Sequence, residues 1–348
     1  MTANPYDYLI IGQGLAGSIL ADCLIKRGST VFVLDNHHQG SSSMVAAGII
    51  NPVTGHRLNI TEGFETFFPV AKQYYKQAEQ SAPGSFWRDV EQTRLVKNQG
   101  QSDYYHQRRT ESAYQPILGD FLDRTEWFAD SAYGSTQVLQ SAVVNSRAFL
   151  AELKQRLKAL NSYAAVPFEH QQLEQVDNYF RYSDHIGKRL IFCEGYQAIN
   201  NPWLEHLPFK LAKGEILTVS TEQLIPNQLL NWGSWLVSNP QGDQARLGAS
   251  FVWNDISPQV DAANEAKLLA SLETHTTIKA THLQTDAGIR PTTEQRKPFI
   301  GSIPSLPGAY CFNGFGSKGC LLIPYYAELL CEHLFTGAPL PQELSQFL

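Results

Sequence analysis

The sequence predicts an α/β protein in which a parallel-sheet domain is interrupted by an inserted α+β domain with an antiparallel or mixed sheet. The first 35 residues contain a strand, a glycine-rich turn, a helix and a second strand. The C-terminal end contains a similar unit, with a strand at 310–312, a glycine-rich turn and a helix at about 322–335. Between these units, residues 63–137 are rich in aromatic residues and glutamine, which indicates a different kind of structure.

The N-terminal unit is the clearest part of the prediction. Tyr8-Leu9-Ile10-Ile11 is a short apolar run, as a buried parallel strand requires. Residues 15–27 then place apolar side chains at helical spacing, and Gly28 stands where the helix should end. Residues 30–34 form a second apolar strand, which ends at Asp35.

The turn between these elements reads Gly12-Gln13-Gly14-Leu15-Ala16-Gly17, the spacing of dinucleotide-binding domains of the Rossmann type. Gly12 permits the tight turn, Gly14 lets the backbone approach a pyrophosphate, and Gly17 allows close packing of helix on strand. The helix N-terminus offers unpaired N–H groups and a partial positive charge to the phosphates. Asp35, followed by Asn36, is predicted to accept hydrogen bonds from ribose hydroxyls. This motif alone leaves NAD and FAD open.

Further elements are predicted from periodicity along the rest of the chain. An amphipathic helix is expected at 146–160, and less regular helices at 67–80, 120–128 and 261–272. Strand-like runs occur at 188–193, 215–219, 235–238 and 246–252. We predict that 1–62, 138–206 and 286–348 form the dinucleotide domain, and that 63–137 and 207–285 form a substrate domain.

Composition excludes several classes of function. The net charge is -6, only 17% of residues are charged, and the basic residues occur as scattered doublets, which argues against a nucleic-acid partner. The five cysteines show no CxxC pair, so neither a disulfide framework nor a metal centre is expected. The N-terminus lacks the features of a signal peptide, and no apolar run approaches the ~20 residues of a membrane span. A cytoplasmic location is therefore predicted.

A run of small residues, 41–52, follows Asp35 closely and favours a bulky planar ligand against the backbone. This run resembles the loop that lines the ribityl chain and flavin ring in the D-amino-acid oxidase family, which includes glycine oxidase and sarcosine oxidase. Gly288-Ile289-Arg290-Pro291, Pro298-Phe299-Ile300-Gly301 and the glycine turn of 310–320 are similar to the C-terminal motifs of that family. Weaker similarity covers the middle, outside 63–137.

The resemblance implies FAD as the cofactor, bound without a covalent link, because the segment 288–301 has no cysteine. It further implies that Leu173 touches the adenine and that the turn around Lys318 lies at the pyrimidine end of the flavin. His37 and His38 would form a solvated rim beside the adenosine. Besides Asp35, Asn36, Leu173 and the first glycine turn, the residues expected to bind FAD are Ser42, Ser43, Ala46, Ala47, Gly48, Ile49, Gly195, Gly314, Gly316, Ser317, Lys318, Gly319 and Cys320.

Two departures from the family pattern accompany the resemblance. Gln295 stands where the family commonly has Asp, and Glu194 replaces a small residue beside the cofactor domain. Of the tryptophans at 232, 235 and 253, one could form a wall of the substrate cavity, and the sequence does not distinguish among them.

Three basic residues are candidates for contact with substrate or reacting atoms. Arg290 matches the residue that holds the substrate carboxylate in glycine-oxidase-like members, although it could also form a salt bridge between domains. Lys318 could stabilise reduced flavin or assist its reaction with O2, or could point away from the site. Arg57, with His56 before it, follows the small-residue run, where sarcosine-oxidase-like members carry basic residues.

The resemblance implies oxidation of the C–N bond of an amine or amino acid, by hydride transfer to flavin N5. The imine would hydrolyse, and O2 or another acceptor would reoxidise the flavin. One alternative is an oxidase that acts in tRNA wobble-uridine modification, because the 314–319 turn also resembles the oxidase half of the bifunctional enzyme of that pathway. Another alternative is a flavin-binding redox sensor without turnover.

Overall fold

The computed structural model describes residues 4–36, 40–223, 226–253 and 255–348. The helices are α1 (Leu15–Lys26), α2 (Ser42–Val45), α3 (Phe64–Gln80), α4 (Gln99–Arg109), α5 (Ser146–Ala159), α6 (Ala262–His275), α7 (Gly319–Thr336) and α8 (Gln342–Ser345). The strands are β1 (Tyr6–Ile11), β2 (Val31–Asp35), β3 (Ile49–Ile50), β4 (Val53–Thr54), β5 (Asn59–Ile60), β6 (Trp87–Leu95), β7 (Leu118–Leu122), β8 (Ser135–Val144), β9 (Tyr163–Ala165), β10 (Glu174–Val176), β11 (Tyr179–Tyr182), β12 (His185–Phe192), β13 (Ala212–Ser220), β14 (Gln228–Asn231), β15 (Trp235–Ser238), β16 (Gln244–Gly248), β17 (Val252–Trp253), β18 (Thr281–Arg290), β19 (Phe299–Ser302) and β20 (Ala309–Asn313).

The first sheet has the predicted parallel centre. Its path runs β10-β11-β12-β1-β2-β9, and β20 extends it beside β12. The pairs of β1 with β2 and β12, of β2 with β9, and of β12 with β20 are parallel. The glycine turn after β1 therefore lies at the carboxyl edge of a parallel sheet, where α/β folds bind ligands.

Four helices cover one face of the first sheet. Residues of α1, α3, α5 and α7 share one buried cluster, which includes Ile19, Tyr75, Phe149 and Leu330. Helix α3 comes from the range 63–137, which was predicted to belong to the substrate domain, yet its aromatic face packs into the core beneath the first sheet. The long apolar stripe of α3 explains this placement, because the four helices bury it together.

The second sheet is mixed, as predicted, and its strands come from widely separated segments between residues 49 and 290. Its path runs β17-β13-β16-β15-β14-β6-β8-β3, with β18 beside β13 and β7 beside β8. Strand β3 lies within the predicted range 1–62, and the predicted boundaries at 137/138 and 285/286 fall inside β8 and β18. Two strands of this sheet therefore run across the predicted domain boundaries. The assignment of the ranges to a cofactor domain and a substrate domain stays a prediction.

The predicted helix at 120–128 is wrong. Residues 118–122 form β7, which pairs antiparallel with β8, and Leu118 is completely buried there. Phe128 instead forms an isolated bridge with Thr276. The pairing partner and the buried face outweigh the weak helical pattern of this segment. The predicted strand at 246–252 is also interrupted, because β16 ends at Gly248 and β17 begins at Val252.

Within the described ranges, no helix is both long enough and apolar enough to cross a bilayer.

Candidate functional site

A cavity of about 780 Å³ is lined by residues from both sheets. This volume lies in the upper part of the range of about 300–1,000 Å³ that small-molecule and cofactor sites occupy. Most of the predicted cofactor residues line it, together with Arg290: Gly12, Gln13, Gly14, Leu15, Ala16, Asp35, Ser42, Ser43, Ala46, Ala47, Gly48, Ile49, Gly195, Gly316, Ser317, Lys318, Gly319 and Cys320. Segments far apart in sequence are thus brought together around one space.

The first glycine turn is shaped by two close backbone approaches. Gly12 has φ of +103°, and a Cβ there would stand 2.5 Å from the carbonyl oxygen of Cys193. A Cβ on Gly17 would stand 1.9 Å from the carbonyl oxygen of Gly12, so α1 can pack on β1 only with glycine at this position. Both observations agree with the roles that the sequence motif predicts for these glycines.

The N-terminus of α1 faces the cavity with an N–H donor. Gly14 is the residue before the helix, and the Leu15 N–H donates to the hydroxyl of Ser43 at 3.1 Å. A Cβ added at Gly14 would stand 3.2 Å from the same Ser43 hydroxyl. Gly14, Leu15 and Ser43 all line the cavity, so a negatively charged group such as a pyrophosphate could approach the helix N-terminus beside this hydroxyl.

Asp35 lies at the end of β2 and is 9% exposed. Its Oδ1 accepts a hydrogen bond from the Gln13 N–H at 2.9 Å, which fixes the carboxylate against the glycine turn. The position and orientation suit an acceptor for ribose hydroxyls.

The small-residue segment forms part of the cavity wall between the two sheets. Gly48 has φ of +72°, and a Cβ there would stand 1.8 Å from the carbonyl oxygen of Val144. The Val144 N–H donates to the Gly48 carbonyl at 2.9 Å, so the segment lies tightly against β8. This close contact fixes Gly48 against β8, within a segment whose residues 46–49 all line the cavity.

An ionic network holds α2 in place. Arg147 donates to the carbonyl oxygen of Met44 at 2.5 Å, and Arg246 donates to that of Val45 at 3.0 Å. Asp286 accepts from both guanidinium groups, at 2.7 and 3.0 Å. Burial acts to raise the pKa of Asp286, but the two arginines outweigh it and lower that pKa. The anchor therefore consists of an ionised carboxylate between two cations.

The turn before α7 forms another part of the cavity wall, and a Cβ on Gly319 would stand 3.9 Å from the Leu15 side chain. The Gly316 N–H donates to the Pro291 carbonyl at 3.1 Å, which joins this turn to the segment after β18. Asn313 donates to the carbonyl oxygen of Gly195 at 2.8 Å. Lys318 precedes α7 and part of its side chain is exposed. Partial loss of solvent around its ammonium group, and then repulsion from Arg296, lower the pKa of Lys318.

Arg290 ends β18 with its guanidinium against main-chain oxygens. It donates to the carbonyls of Lys213 at 3.2 Å and Ser250 at 3.4 Å, and the Phe251 ring centre lies 4.8 Å away. No carboxylate of the described residues lies within 4.0 Å of this guanidinium. Burial lowers the pKa of Arg290 to about 10. A cation on the cavity wall without a carboxylate partner can bind a carboxylate ligand.

Several lining residues were not predicted from the sequence. One face of α5 contributes Arg147, Leu150, Ala151 and Lys154, at helical spacing i, i+3, i+4 and i+7. This spacing is visible in the sequence, but the buried stripe of the same helix is the stronger signal. The face of α5 that lines the cavity becomes recognisable only when its neighbours are known.

The second sheet forms the remaining wall of the cavity. Trp235, Asn231 and Leu229 line it from β15 and β14, and Gly214 and Ile216 from β13. Of the three tryptophans considered, Trp235 is the one in the lining, whereas Trp232 is buried in a separate cluster and Trp253 is exposed. Residues of sheet strands alternate between faces, so only the packing of the sheet identifies this set.

Five predicted site residues lie outside the cavity lining. Gly17 and Gly314 pack behind its wall, against Gly12 and Thr293. Asn36 is exposed, and Leu173 packs at the edge of the second buried cluster of the first sheet rather than on the cavity. Arg57 is exposed, with its guanidinium 5.8 Å from the Tyr104 ring centre.

The two departures from the family pattern both form side-chain hydrogen bonds. Glu194 lines the cavity, and both its carboxylate oxygens are engaged, by His170 at 2.9 Å and by Asn201 at 2.7 Å. Gln295 is exposed and accepts a hydrogen bond from Gln346. His37 and His38 lie outside the described residues. No cluster of metal-ligating residues is found within the parts of the chain that the structure describes.

The model of the DAO family, described as FAD dependent oxidoreductase, matches residues 7–333. The chain belongs to this family. It is therefore a FAD-dependent oxidoreductase, and the expected cofactor and fold are confirmed. The glycine turn, Asp35 and the turn before α7 line one continuous cavity, which fits a long dinucleotide.

Three proteins that this DAO-family chain resembles cover nearly its whole length. It is 25% identical to the uncharacterized oxidoreductase YurR of Bacillus subtilis over 98% of both chains. It is 22% identical to the tRNA 5-methylaminomethyl-2-thiouridine biosynthesis bifunctional protein MnmC of Nitrosospira multiformis, covering 98% of this chain and 59% of that protein. The crystal structure of glycine oxidase from Geobacillus kaustophilus superposes with a TM-score of 0.81 at 17% identity, covering 99% and 98% of the two chains. The chain thus spans about three fifths of the bifunctional relative.

The surroundings of the cysteines predict how this family member holds FAD. Cys320 lines the cavity, and burial raises its pKa to about 12, so its thiol stays protonated and is a weak nucleophile. We expect acid precipitation of the purified yellow protein to release all FAD into the supernatant. Colour that remains in the washed pellet would contradict this expectation, and Cys320→Ser would then show whether this thiol carries the flavin.

Proposed function

We propose that this oxidoreductase oxidises the C–N bond of an amine that carries a carboxylate, such as glycine, sarcosine, a D-amino acid or another N-substituted amino acid. The observation that carries the proposal is Arg290, a largely buried guanidinium on the cavity wall without a carboxylate partner among the described residues. An unpaired buried cation is costly, and a ligand carboxylate would offset that cost.

The residues of the chain would orient the substrate and exclude water. Arg290 would fix the carboxylate through parallel hydrogen bonds, and Trp235 and Asn231 would limit the space on the side of the second sheet. FAD, which the glycine turn after β1, Asp35 and the turn before α7 would hold, would supply the two-electron acceptor for a hydride from the carbon beside the nitrogen. The resulting imine would hydrolyse, and O2 or another acceptor would take up the electrons. The N-terminus of α7 and Lys318 would provide positive potential at their part of the cavity wall.

An anaerobic panel of amines tests this proposal. The holoprotein is mixed with glycine, sarcosine, D-amino acids, and matched amines that lack the carboxylate, while the absorbance of oxidised flavin is followed. Bleaching by carboxylate-bearing amines, and weaker bleaching by the matched amines, is the expected result. A flavin that none of these compounds bleaches would contradict the proposal and favour a redox sensor without turnover.

Lys318 gives a separate prediction about the oxidative half of the reaction. Lys318→Met should slow reoxidation of the reduced flavin by O2 roughly tenfold, the size of one partly screened charge near the ring. The rate of flavin reduction by substrate should stay nearly unchanged. Stopped-flow mixing of reduced protein with O2 measures the effect, with Lys267→Met, which lies outside the cavity lining, as the control. Equal reoxidation rates would mean that the Lys318 side chain has no part in this step.

A second candidate function is oxidation of a modified uridine in tRNA. It is favoured by the similarity to the bifunctional MnmC proteins over nearly the whole of this chain. The net charge of -6 weighs against a tRNA substrate. Binding of bulk tRNA by the holoprotein with a steep salt dependence, and flavin bleaching by undermodified tRNA, would support this candidate over the first.

A further inference from the structure

Arg94 lies on the same face of the second sheet as two residues of the cavity wall, but outside the lining itself, where it borders a separate space of about 10 Å³. Leu229 and Asn231, two residues apart on β14, both line it. Strand β6 runs parallel beside β14, with Gln92 opposite Leu229 and Arg94 opposite Asn231. Residues opposite one another in adjacent strands project to the same face, so Arg94 lies one strand spacing, about 4.8 Å, beyond Asn231 on that face.

The guanidinium of Arg94 has no anionic partner among the described residues. It donates to the carbonyl oxygen of Gly55 at 2.6 Å, and Gly55 follows the cavity-lining Thr54. No carboxylate in the described ranges lies within 4.0 Å of it, whereas Arg27, Arg108, Arg147 and Arg246 all pair with acids. Burial lowers the pKa of Arg94. Such a cation is destabilised until an anion joins it.

Lys97 adds a second positive charge at the same place. It follows the end of β6, and its Nζ lies 3.5 Å from where a Cβ on Gly233 would stand, just beyond Asn231. Partial burial and then repulsion from Arg94 lower the pKa of Lys97, and no described acid forms an ion pair with it. Two cations therefore repel each other here, in a chain whose net charge is -6.

We propose that Arg94 and Lys97 form a subsite for a second oxyanion of the substrate, a carboxylate or a phosphate remote from the bond that is oxidised. The subsite rests on the proposed function, because Arg290 would hold the first carboxylate. A guanidinium recognises either oxyanion through paired hydrogen bonds, and the ammonium adds charge. The substrate class is thus an amine with two acidic groups rather than a simple monocarboxylic amino acid.

Matched pairs of acids that differ by one oxyanion test the subsite. Glycolate is compared with phosphoglycolate, and acetate, propionate, butyrate and pentanoate are compared with the dicarboxylates of equal chain length. Binding to the holoprotein is measured from the flavin difference spectrum. We expect at least one dianion to bind tenfold or more tightly than its partner. Tighter binding of phosphoglycolate would show that the subsite takes a phosphate, and tighter binding of a dicarboxylate would show that it takes a carboxylate.

Variants assign that gain to the two cations. Arg94→Gln and Lys97→Met should each reduce the ratio of dianion to monoanion affinity at least threefold, while monoanion binding stays unchanged. Arg88→Gln is the matched control, because Arg88 lies on the same strand and donates to Asn227 and to the Ser238 carbonyl. It borders neither the cavity nor the small space beside Arg94. Lys97 is exposed, so Lys97→Met keeps the test usable if Arg94→Gln is unstable.

The outcomes separate the subsite from the proposed function. If no dianion exceeds its matched monoanion in the unmodified protein, or if the gain survives in both variants, the subsite is overturned. The same titrations with Arg290→Ala report on the first carboxylate alone: monoanion binding that persists there contradicts the proposed function, whatever the ratio shows.

Discussion

Arg290→Ala is expected to weaken the binding of monocarboxylate ligands about ten- to hundredfold while FAD stays bound. A buried, charge-assisted hydrogen bond contributes roughly 1.5–3 kcal/mol, which corresponds to that loss of affinity. The guanidinium lines the cavity and has no described carboxylate partner that would provide a structural role. Flavin difference spectra with benzoate or glycolate, recorded beside thermal melting curves, measure both properties in one sample.

Two companion variants sharpen this prediction. Arg290→Lys should recover only part of the affinity, because an ammonium lacks the planar fork of a guanidinium. Gly214→Ala leaves Arg290 in place, but its Cβ would stand 2.0 Å from a guanidinium nitrogen and would displace the group. We expect this variant to lose ligand affinity as well.

An opposing interpretation is that Arg290 merely joins two parts of the fold. It then ties β18 to the carbonyls of Lys213 and Ser250, and its removal lowers the melting temperature without changing ligand affinity. Unchanged ligand affinity in a folded Arg290→Ala protein would contradict the carboxylate-binding hypothesis and favour amines without a carboxylate as substrates.

Gly48→Ala is expected to destabilise the protein by roughly 2–5 kcal/mol and to release FAD. The left-handed backbone, with φ of +72°, costs about 1–2 kcal/mol for alanine. The overlap with the Val144 carbonyl adds about 1–3 kcal/mol of packing strain. Because Gly48 lies in the wall of the cavity, relief of the clash moves the segment that the flavin would touch.

Gly28→Ala is the matched control for Gly48. Gly28 also has a positive φ, of +85°, but a Cβ there meets nothing within 4 Å. This variant should lose only the backbone part, about 1–2 kcal/mol, and should keep FAD. Denaturant unfolding and the flavin content after gel filtration compare the two proteins. Similar losses in both would show that the contact with Val144 is not the cause.

The local parts of the fold could be predicted from the sequence. The strand, glycine turn and helix at the N-terminus follow from a few residues whose steric roles are local, and Gly12 and Gly17 have those roles in the structure. The amphipathic pattern likewise predicted α5, which buries Phe149 and Leu153 on one face. In each case the information lies within about 30 residues of chain.

The remaining parts depend on contacts between distant segments. Strand β7 carries a weak helical pattern and becomes a strand because β8 pairs with it. Arg94 has no motif around it, and its relation to the cavity arises only from the parallel pairing of β6 with β14. Arg57 was expected near the flavin from its place in the chain; it is exposed on the turn after β4 and outside the cavity lining, so its role stays a prediction.

Strand β18 limits how this scaffold could acquire new specificities. It carries Asp286, which anchors α2 through two arginines, and four residues later Arg290, which faces the proposed substrate. Gly288 between them lets Val45 approach to 3.0 Å from the position of a Cβ. A slip of the strand by one residue would lose all three contacts together. We therefore expect new specificities to arise by substitution in the wall formed by β14 and β15, whose lining residues Leu229, Asn231 and Trp235 make none of these three contacts.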